Sequence, residues 1–279
     1  MSAVLSCGSR HLDLSQPVVM GVLNVTPDSF SDGGRFLRLD DALRHASQML
    51  AEGAAIIDLG AESTRPGAPP VSDQEELDRL LPVLEAIASR FDIIVSIDTS
   101  SPVVMTESAA RGAGLINDVR SLTRPGAMQA ARDSGLPVCI MHMQGQPQTM
   151  QQAPAYDNVV DEVRGWLADR VEACVAAGIT ADRLILDPGF GFGKTLTHNL
   201  ELLARLREIR VGDLPLLVGM SRKSMLGGIL GGAAVDQRLY AGVTAAALAV
   251  ERGAAIVRTH DVRATREAVA VAAALLPWR

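Results

Sequence analysis

The sequence predicts an α/β fold, a TIM (β/α)8 barrel with a short N-terminal hairpin or flap, and three observations carry that expectation. From residue 18 onward, apolar β-type runs alternate with amphipathic helical stretches, eight of each. Five of the helical stretches end at a glycine, Gly53, Gly112, Gly135, Gly178 and Gly253, as suits a left-handed residue closing a helix before the next strand. The competing architecture, an open doubly wound sheet, lacks a GxGxxG at its first helix, and eight near-equal units favour closure. No low-complexity segment or linker interrupts the pattern, so residues 1–279 read as a single domain.

Residues 1–17 are short and mixed, which reads as a flap or hairpin closing one barrel end. The first barrel strand, 18–26, is almost continuously apolar, as expected of a parallel strand covered on both faces, until Asn24 and Thr26 break it. Pro27 and Gly33-Gly34 then mark 27–36 as a loop. The remaining strands are expected at 55–60, 93–99, 114–119, 137–143, 183–187, 215–220 and 256–260. The helical stretches are expected at 40–52, 74–90, 102–111, 127–134, 156–177, 198–209, 237–252 and 264–276.

Composition narrows the function classes. A hydrophobic content of 48% with 21% charged residues is that of a globular chain with a sizeable core, and 3% aromatics makes that core aliphatic. The net charge of −6 with no basic run argues against a nucleic-acid binder, so any bound anion needs local cations. Cys7, Cys139 and Cys174 are far apart and form no CxxC, which fits a reducing cytoplasm. Neither a signal peptide nor a membrane span is expected.

Barrel closure turns distant strand ends into neighbours. Asn24 after strand one, Thr64-Arg65 after strand two, and Arg258 and His260 at strand eight make a cationic, donor-rich sector suited to a phosphate or pyrophosphate. Asn24 offers a neutral oxygen for Mg²⁺ carried by a diphosphate. A facing sector holds Asp98, Asn117, Asp187 and Lys223, a mix of acceptors and donors matching a flat polar heterocycle such as a pterin. Taken singly, a rim arginine is more often a surface ion pair, and a buried Asp-Lys pair often satisfies only itself. The convergence at adjacent strand ends is what favours a site. Gly189, Gly191 and Gly193 allow close approach of a ligand, Phe190 and Phe192 offer stacking faces, and Ser221 and Ser224 flank Arg222-Lys223 where a second substrate would be oriented. His11, His45 and His198 read as surface or capping residues; Asp58 and Glu62 read as carboxylates supporting the site or as core hydrogen-bond partners, the structural reading being favoured; and His142, ending strand five, is open between loop anchoring and substrate contact.

The segments GVLNVTPDSFSDGG (21–34), GAESTRPGA (60–68), SIDTS (96–100), IND (116–118), LDPGFGFGK (186–194), GMSRKS (219–224) and RTHD (258–261) closely resemble the dihydropteroate synthases of bacterial folate biosynthesis. Ala61 and Thr259 stand where many members have Gly and Val, both conservative departures. The resemblance implies condensation of 4-aminobenzoate with 6-hydroxymethyl-7,8-dihydropterin diphosphate, giving 7,8-dihydropteroate and pyrophosphate with Mg²⁺. It also implies that Asp98, Asn117, Asp187 and Lys223 hold the pterin, and that Asn24, Arg65, Arg258 and His260 hold the diphosphate, with Mg²⁺ near Asn24. Thr64, Pro66, Phe192, Ser221 and Lys223 would border the aminobenzoate, beneath a lid containing Phe30 and Asp32. A homodimer through the C-terminal helices follows from the same resemblance. Three alternatives remain at this point: a Schiff-base aldolase using Lys223, a pterin-binding domain related to corrinoid methyltransferases, and a non-catalytic pterin binder.

Overall fold

In the computed structural model, which describes residues 4–25, 35–62, 71–145 and 149–278, with 35–38 as backbone only, eight parallel strands close into a barrel. A two-stranded antiparallel hairpin precedes it, β1 (Val4–Cys7) and β2 (Arg10–Asp13). The barrel strands are β3 (Val18–Asn24), β4 (Ile56–Gly60), β5 (Ile94–Asp98), β6 (Leu115–Asp118), β7 (Val138–Met141), β8 (Leu184–Asp187), β9 (Leu216–Gly219) and β10 (Ala254–Thr259). Each pairs with the next in sequence, and β10 pairs with β3 to shut the cylinder. All eight expected runs are strands, with ends that differ by one or two residues; most are shortened, and β10 begins two residues earlier, at Ala254.

Among the described residues nine α-helices surround the strands: α1 (Arg35–Ala51), α2 (Asp73–Arg90), α3 (Pro102–Ala109), α4 (Ala127–Ser134), α5 (Val159–Ala176), α6 (Leu196–Ala204), α7 (Ser224–Ile229), α8 (Leu239–Glu251) and α9 (Val262–Leu275). Their ends follow local chemistry. Ser72 accepts from the Glu75 amide ahead of α2, and Asn158 accepts from Val160 and Asp161 ahead of α5. Thr195 and His198 form a reciprocal capping box on α6, so the capping role expected of His198 is met. Gly53, Gly112, Gly135, Gly178 and Gly253 all have positive φ, between 71° and 98°, as expected of residues that end a helix.

Three boundaries differ from the sequence reading. α1 begins at Arg35, inside the stretch read as loop, because Phe36, Leu37 and Leu39 continue the helical pattern. The stretch 198–209 divides into α6 and a 3-10 turn at Leu206–Ile209. The short α7 was not expected, since Gly227-Gly228 inside it disguise a helix.

Strand residues alternate inward and outward, and the inward set sorts by height. At the N-terminal end Met20, Ile56, Ile94, Leu115, Cys139, Ile185, Leu217 and Ile256 fill the cylinder with one apolar layer. Leu5, Cys7 and Leu12 of the hairpin join that layer, so the hairpin plugs the bottom of the barrel. Two residues further along, five of the eight inward positions turn polar, Asp58, Ser96, Asn117, Asp187 and Arg258, while Val22, Met141 and Gly219 occupy the other three. A dry floor therefore carries a polar chamber open toward the C-terminal mouth.

Candidate active site

The polar layer is one connected hydrogen-bond network. Arg258, on β10, donates from Nε to Asp58 Oδ2 at 2.6 Å and from a terminal nitrogen to Asp98 Oδ2 at 3.0 Å, reaching across β3 to β4 and β5. Asn117 donates its amide to the same Asp58 oxygen at 3.0 Å. Asp58 is fully buried, and its second oxygen has no partner. Ser96, beside it in register on β5, is also buried with an unpartnered hydroxyl. Polar atoms facing a barrel interior without partners mark a chamber built for a polar guest.

Gly60 makes room above this layer. A Cβ there would lie 3.5 Å from Asn24 Oδ1 and 3.7 Å from Asp98 Oδ2, so an amide oxygen and a carboxylate flank the bare backbone at the rim. Across the mouth, Asp187 ends β8 buried and accepts from the Gly189 amide at 2.7 Å. Lys223, half-buried after β9, donates to the Phe190 carbonyl at 2.5 Å and lies 4.6 Å from the centre of the Phe192 ring. His260 accepts or donates through Nδ1 to Ser221 Oγ at 3.2 Å, and its backbone amide donates to the same hydroxyl at 3.2 Å. Arg222 is bound to Asp261 by two hydrogen bonds, of 2.6 and 3.2 Å, which ties the loop after β9 to the loop after β10.

Charges in this chamber are poised. Burial and the neighbouring Asp58 raise the Asp98 carboxyl to about 7, with Arg258 opposing the shift. Asp187 is likewise pushed up by burial, against the pull of Lys223. Burial lowers the Lys223 ammonium to about 8, with Asp187 holding it from falling further. Burial also works against the charge of Arg258, but Asp58 and Asp98 more than offset it and keep the guanidinium cationic. The result is a chamber in which the Asp98 carboxyl can accept or donate near neutrality, beside a fixed cation.

The structure brings Asn24, Asp98, Asn117, Asp187, Ser221, Lys223, Arg258 and His260 to the same barrel end, with Phe192 lining it. Thr64 and Pro66 of the aminobenzoate border, Arg65 of the diphosphate set, and Phe30 and Asp32 of the lid lie outside the described residues. One spatial expectation needs correcting. Arg258 does not sit in a basic sector apart from the carboxylates; its long side chain spans two strands and binds two of them. Asp58, read as structural, is the hub of the polar layer, and its inward register two residues below Gly60 was the available signal. Glu62 pairs with Arg120 at 3.3 Å, in keeping with a structural role. The partnership of His142 with Lys194 was not foreseen at all.

Comparison with known proteins meets this geometry. Residues 20–260 match the family of pterin binding enzymes. The dihydropteroate synthase of Escherichia coli K12 is 57% identical over 265 residues, which cover 95% of this chain and 94% of the relative. A solved dihydropteroate synthase of Yersinia pestis in complex with a sulfonamide drug superposes with a TM-score of 0.93 at 55% identity, covering 98% of this chain and 99% of that one. The Xanthomonas albilineans enzyme, solved with 4-aminobenzoic acid, gives a TM-score of 0.93 at 45% identity, covering 99% of each chain. Identity at this level over nearly the whole length, with the polar chamber where a flat polar ring would enter, leaves the aldolase and corrinoid alternatives without support. The chain belongs to the pterin binding enzyme family and, within it, to the dihydropteroate synthases.

Proposed function

We propose that the C-terminal mouth binds 6-hydroxymethyl-7,8-dihydropterin diphosphate and 4-aminobenzoate and joins them by a dissociative displacement. The observation that carries this reading is the connected polar layer of Asp58, Asp98, Asn117 and Arg258 beside Asp187 and Lys223, above an apolar floor. Asp98, Asn117, Asp187 and Lys223 present acceptors and donors for the amino, NH and carbonyl edges of the pterin. Asn24, Arg65, Arg258 and His260 hold the diphosphate, and the aminobenzoate lies against Thr64, Pro66, Phe192, Ser221 and Lys223, with Phe30 and Asp32 in a covering loop.

The reaction breaks a CH₂–O bond to a good leaving group and then adds an aromatic amine. Arg258 and Arg65 neutralise charge as it gathers on the departing diphosphate, while Asp98 faces the positive charge developing on the pterin methylene. An Asp98 poised near 7 is driven toward its ionised form by that charge, so the group stabilises the transition state more than the ground state. The neutral arylamine has its lone pair available and needs no strong base. Closure of the covering loop would keep water from capturing the cation.

The oxygens of Asn24 and Asp98 on either side of Gly60 suit Mg²⁺, which prefers hard oxygen ligands. Among the described residues no group of three His, Cys, Asp or Glu is arranged to hold a metal, so the ion would complete its shell from diphosphate oxygens and water. When bound, it supplies charge neutralisation at the leaving group.

A homodimer is part of this reading. Leu239, Tyr240 and Leu248 on α8 and Val271 and Leu275 on α9 are exposed, as is Trp278 beyond them, and the two helices pack together, so exposed apolar side chains on this helix pair are available to a second copy. No helix among the described residues is long and apolar enough to cross a membrane. The three cysteines are free and buried, in keeping with a reducing cytoplasm.

The test is release of pyrophosphate. It should require the dihydropterin diphosphate and 4-aminobenzoate together, with 7,8-dihydropteroate formed in equal amount. Release without dihydropteroate would mean hydrolysis, and no release would mean a binding protein.

A further inference from the structure

Lys194 closes the glycine loop between β8 and α6 and is only 3% exposed. Its Nζ donates to the carbonyls of Gly189 and Phe192, each at 3.0 Å, and to that of His142 at 3.4 Å, and it lies 2.9 Å from His142 Nδ1. The His142 ring is itself fixed edge-on against Trp166 at 5.2 Å between centroids. Burial, with Lys194 beside it, drives this imidazole down to about 3, so the ring is neutral; facing an ammonium, which can only donate, Nδ1 takes the acceptor role. Among the described residues no carboxylate comes within ion-pair distance of Lys194; burial lowers the group to about 7, with the more distant Asp187 opposing the shift, and its direct contacts are carbonyl dipoles and one ring nitrogen. A buried ammonium held this way is costly, and an apolar side chain of similar length would fill the space without that desolvation. Stability alone gives a poor account of the residue.

The loop it organises touches the site directly. Every carbonyl from Gly189 to Gly193 has a side-chain donor: Lys194 for Gly189 and Phe192, Lys223 for Phe190, Gln151 for Gly191 and Tyr156 for Gly193. Lys194 alone takes two, and they flank the peptide whose carbonyl holds Lys223. The loop has no slack: φ is positive at Gly189, Gly191 and Gly193, and a Cβ on Gly189 would meet the His142 carbonyl oxygen at 1.9 Å. The Phe192 ring beneath Lys223 belongs to the same pinned stretch.

We propose that Lys194 is a positioning residue for the pterin site: with His142 it locks the 189–193 loop, and through the Phe190 carbonyl and the Phe192 ring it aims the Lys223 ammonium into the chamber. This rests on the reading above that Lys223 contacts the pterin. A Lys194 that acts through Lys223 has an effect that vanishes when Lys223 is gone, whereas a general scaffold residue has the same effect with or without it.

The test measures binding of the dihydropterin diphosphate by titration calorimetry to four full-length proteins: wild type, Lys194→Met, Lys223→Ala and the double variant. Lys194→Met should weaken binding about 10- to 100-fold in the wild-type background, the range seen when a supporting shell around a site is removed, and should add nothing in the Lys223→Ala background. The same factor in both backgrounds, or no weakening in either, overturns the proposal. Should Lys194→Met fail to fold, His142→Phe keeps the ring against Trp166 while removing the acceptor. It should weaken binding in the same background-dependent way, and wild-type binding by that variant overturns the proposal as well. Pyrophosphate release by the wild-type protein reports the catalytic reading separately, so failure of one is not mistaken for failure of the other.

Discussion

Replacing Arg258 by alanine removes the group that joins Asp58 to Asp98. Asp58 is fully buried and already has one oxygen without a partner, and the Asp98 side chain is 14% exposed, so neither carboxylate can turn to water. Deleting one partner of a buried ion pair costs on the order of 3–5 kcal/mol. Protonation softens the loss. Asp98 stands near 7 even beside the guanidinium, and without it the carboxyl rises further and takes up a proton at neutral pH. About 3 kcal/mol is therefore the expected cost near pH 8, the low end of that range. The sign of the pH dependence follows from the raised carboxyl: its contribution to stability is fully present below the unfolded value of 3.8 and is lost as pH rises through the folded one. Arg258→Ala should thus destabilise less at about pH 5.5 than at about pH 8, and Asp58→Asn in the same chain should recover part of the loss. Urea unfolding of the wild type and the two variants at both pH values measures this. A loss below about 1 kcal/mol at the higher pH, the scale of an exposed pair, or equal losses at both, refutes the buried-network argument. Were Arg258 to face the diphosphate alone, as the resemblance implies, turnover and diphosphate retention would suffer far more than pterin binding in this variant. The bonds to Asp58 and Asp98 change that expectation, because the group facing the pterin loses its orientation too.

Glu76, 2% exposed in the first turns of α2 with one carboxylate oxygen unpartnered, is raised by burial from 4.5 to about 7. Its stabilising contribution is complete below 4.5 and lost as pH climbs through 7, so Glu76→Gln should gain on the order of 3 kcal/mol in urea unfolding near pH 8 and little near pH 4.5; a gain independent of pH contradicts this. Gly189→Ala places a methyl against a backbone oxygen in a left-handed conformation, so it should cost roughly 1–3 kcal/mol of stability and weaken pterin binding by displacing the loop that carries Phe190; a neutral variant in both assays contradicts the geometry. Tyr240→Glu should leave a monomer in sedimentation analysis if the exposed face of α8 and α9 is the contact between copies, and an unchanged dimer removes that face from consideration.

The barrel was legible because its eight strands are buried apolar runs, five of them ending in a polar residue, and because the glycines that close the helices leave a signature one residue wide. The site was legible in its members, since Asp98, Asn117, Asp187 and Arg258 stand at or within two residues of strand ends. What escaped was reach. A guanidinium can span two strands, and nothing in RTHD says whether Arg258 turns toward solvent or toward Asp58 and Asp98. Lys194 escaped for a related reason: a lysine after a glycine loop, just ahead of a helix, reads as a surface residue until the loop folds over it and buries its ammonium among carbonyls. Asp58 lay one alternation below a glycine in IIDLG, a position facing inward by period alone; the pattern was present and its depth in the chamber was not.

The account's central claim is that the chamber between Asp58 and Lys223 is the seat of the pterin ring. A crystal structure of the protein with the dihydropterin diphosphate tests it most directly. The bicycle should lie above the apolar floor with its polar edge within hydrogen-bond distance of Asp98, Asn117, Asp187 and Lys223, and its diphosphate should point toward Asn24 and His260. A ring bound elsewhere, or kept out of the chamber by an Arg258 still bridging Asp58 and Asp98 across its path, would contradict it.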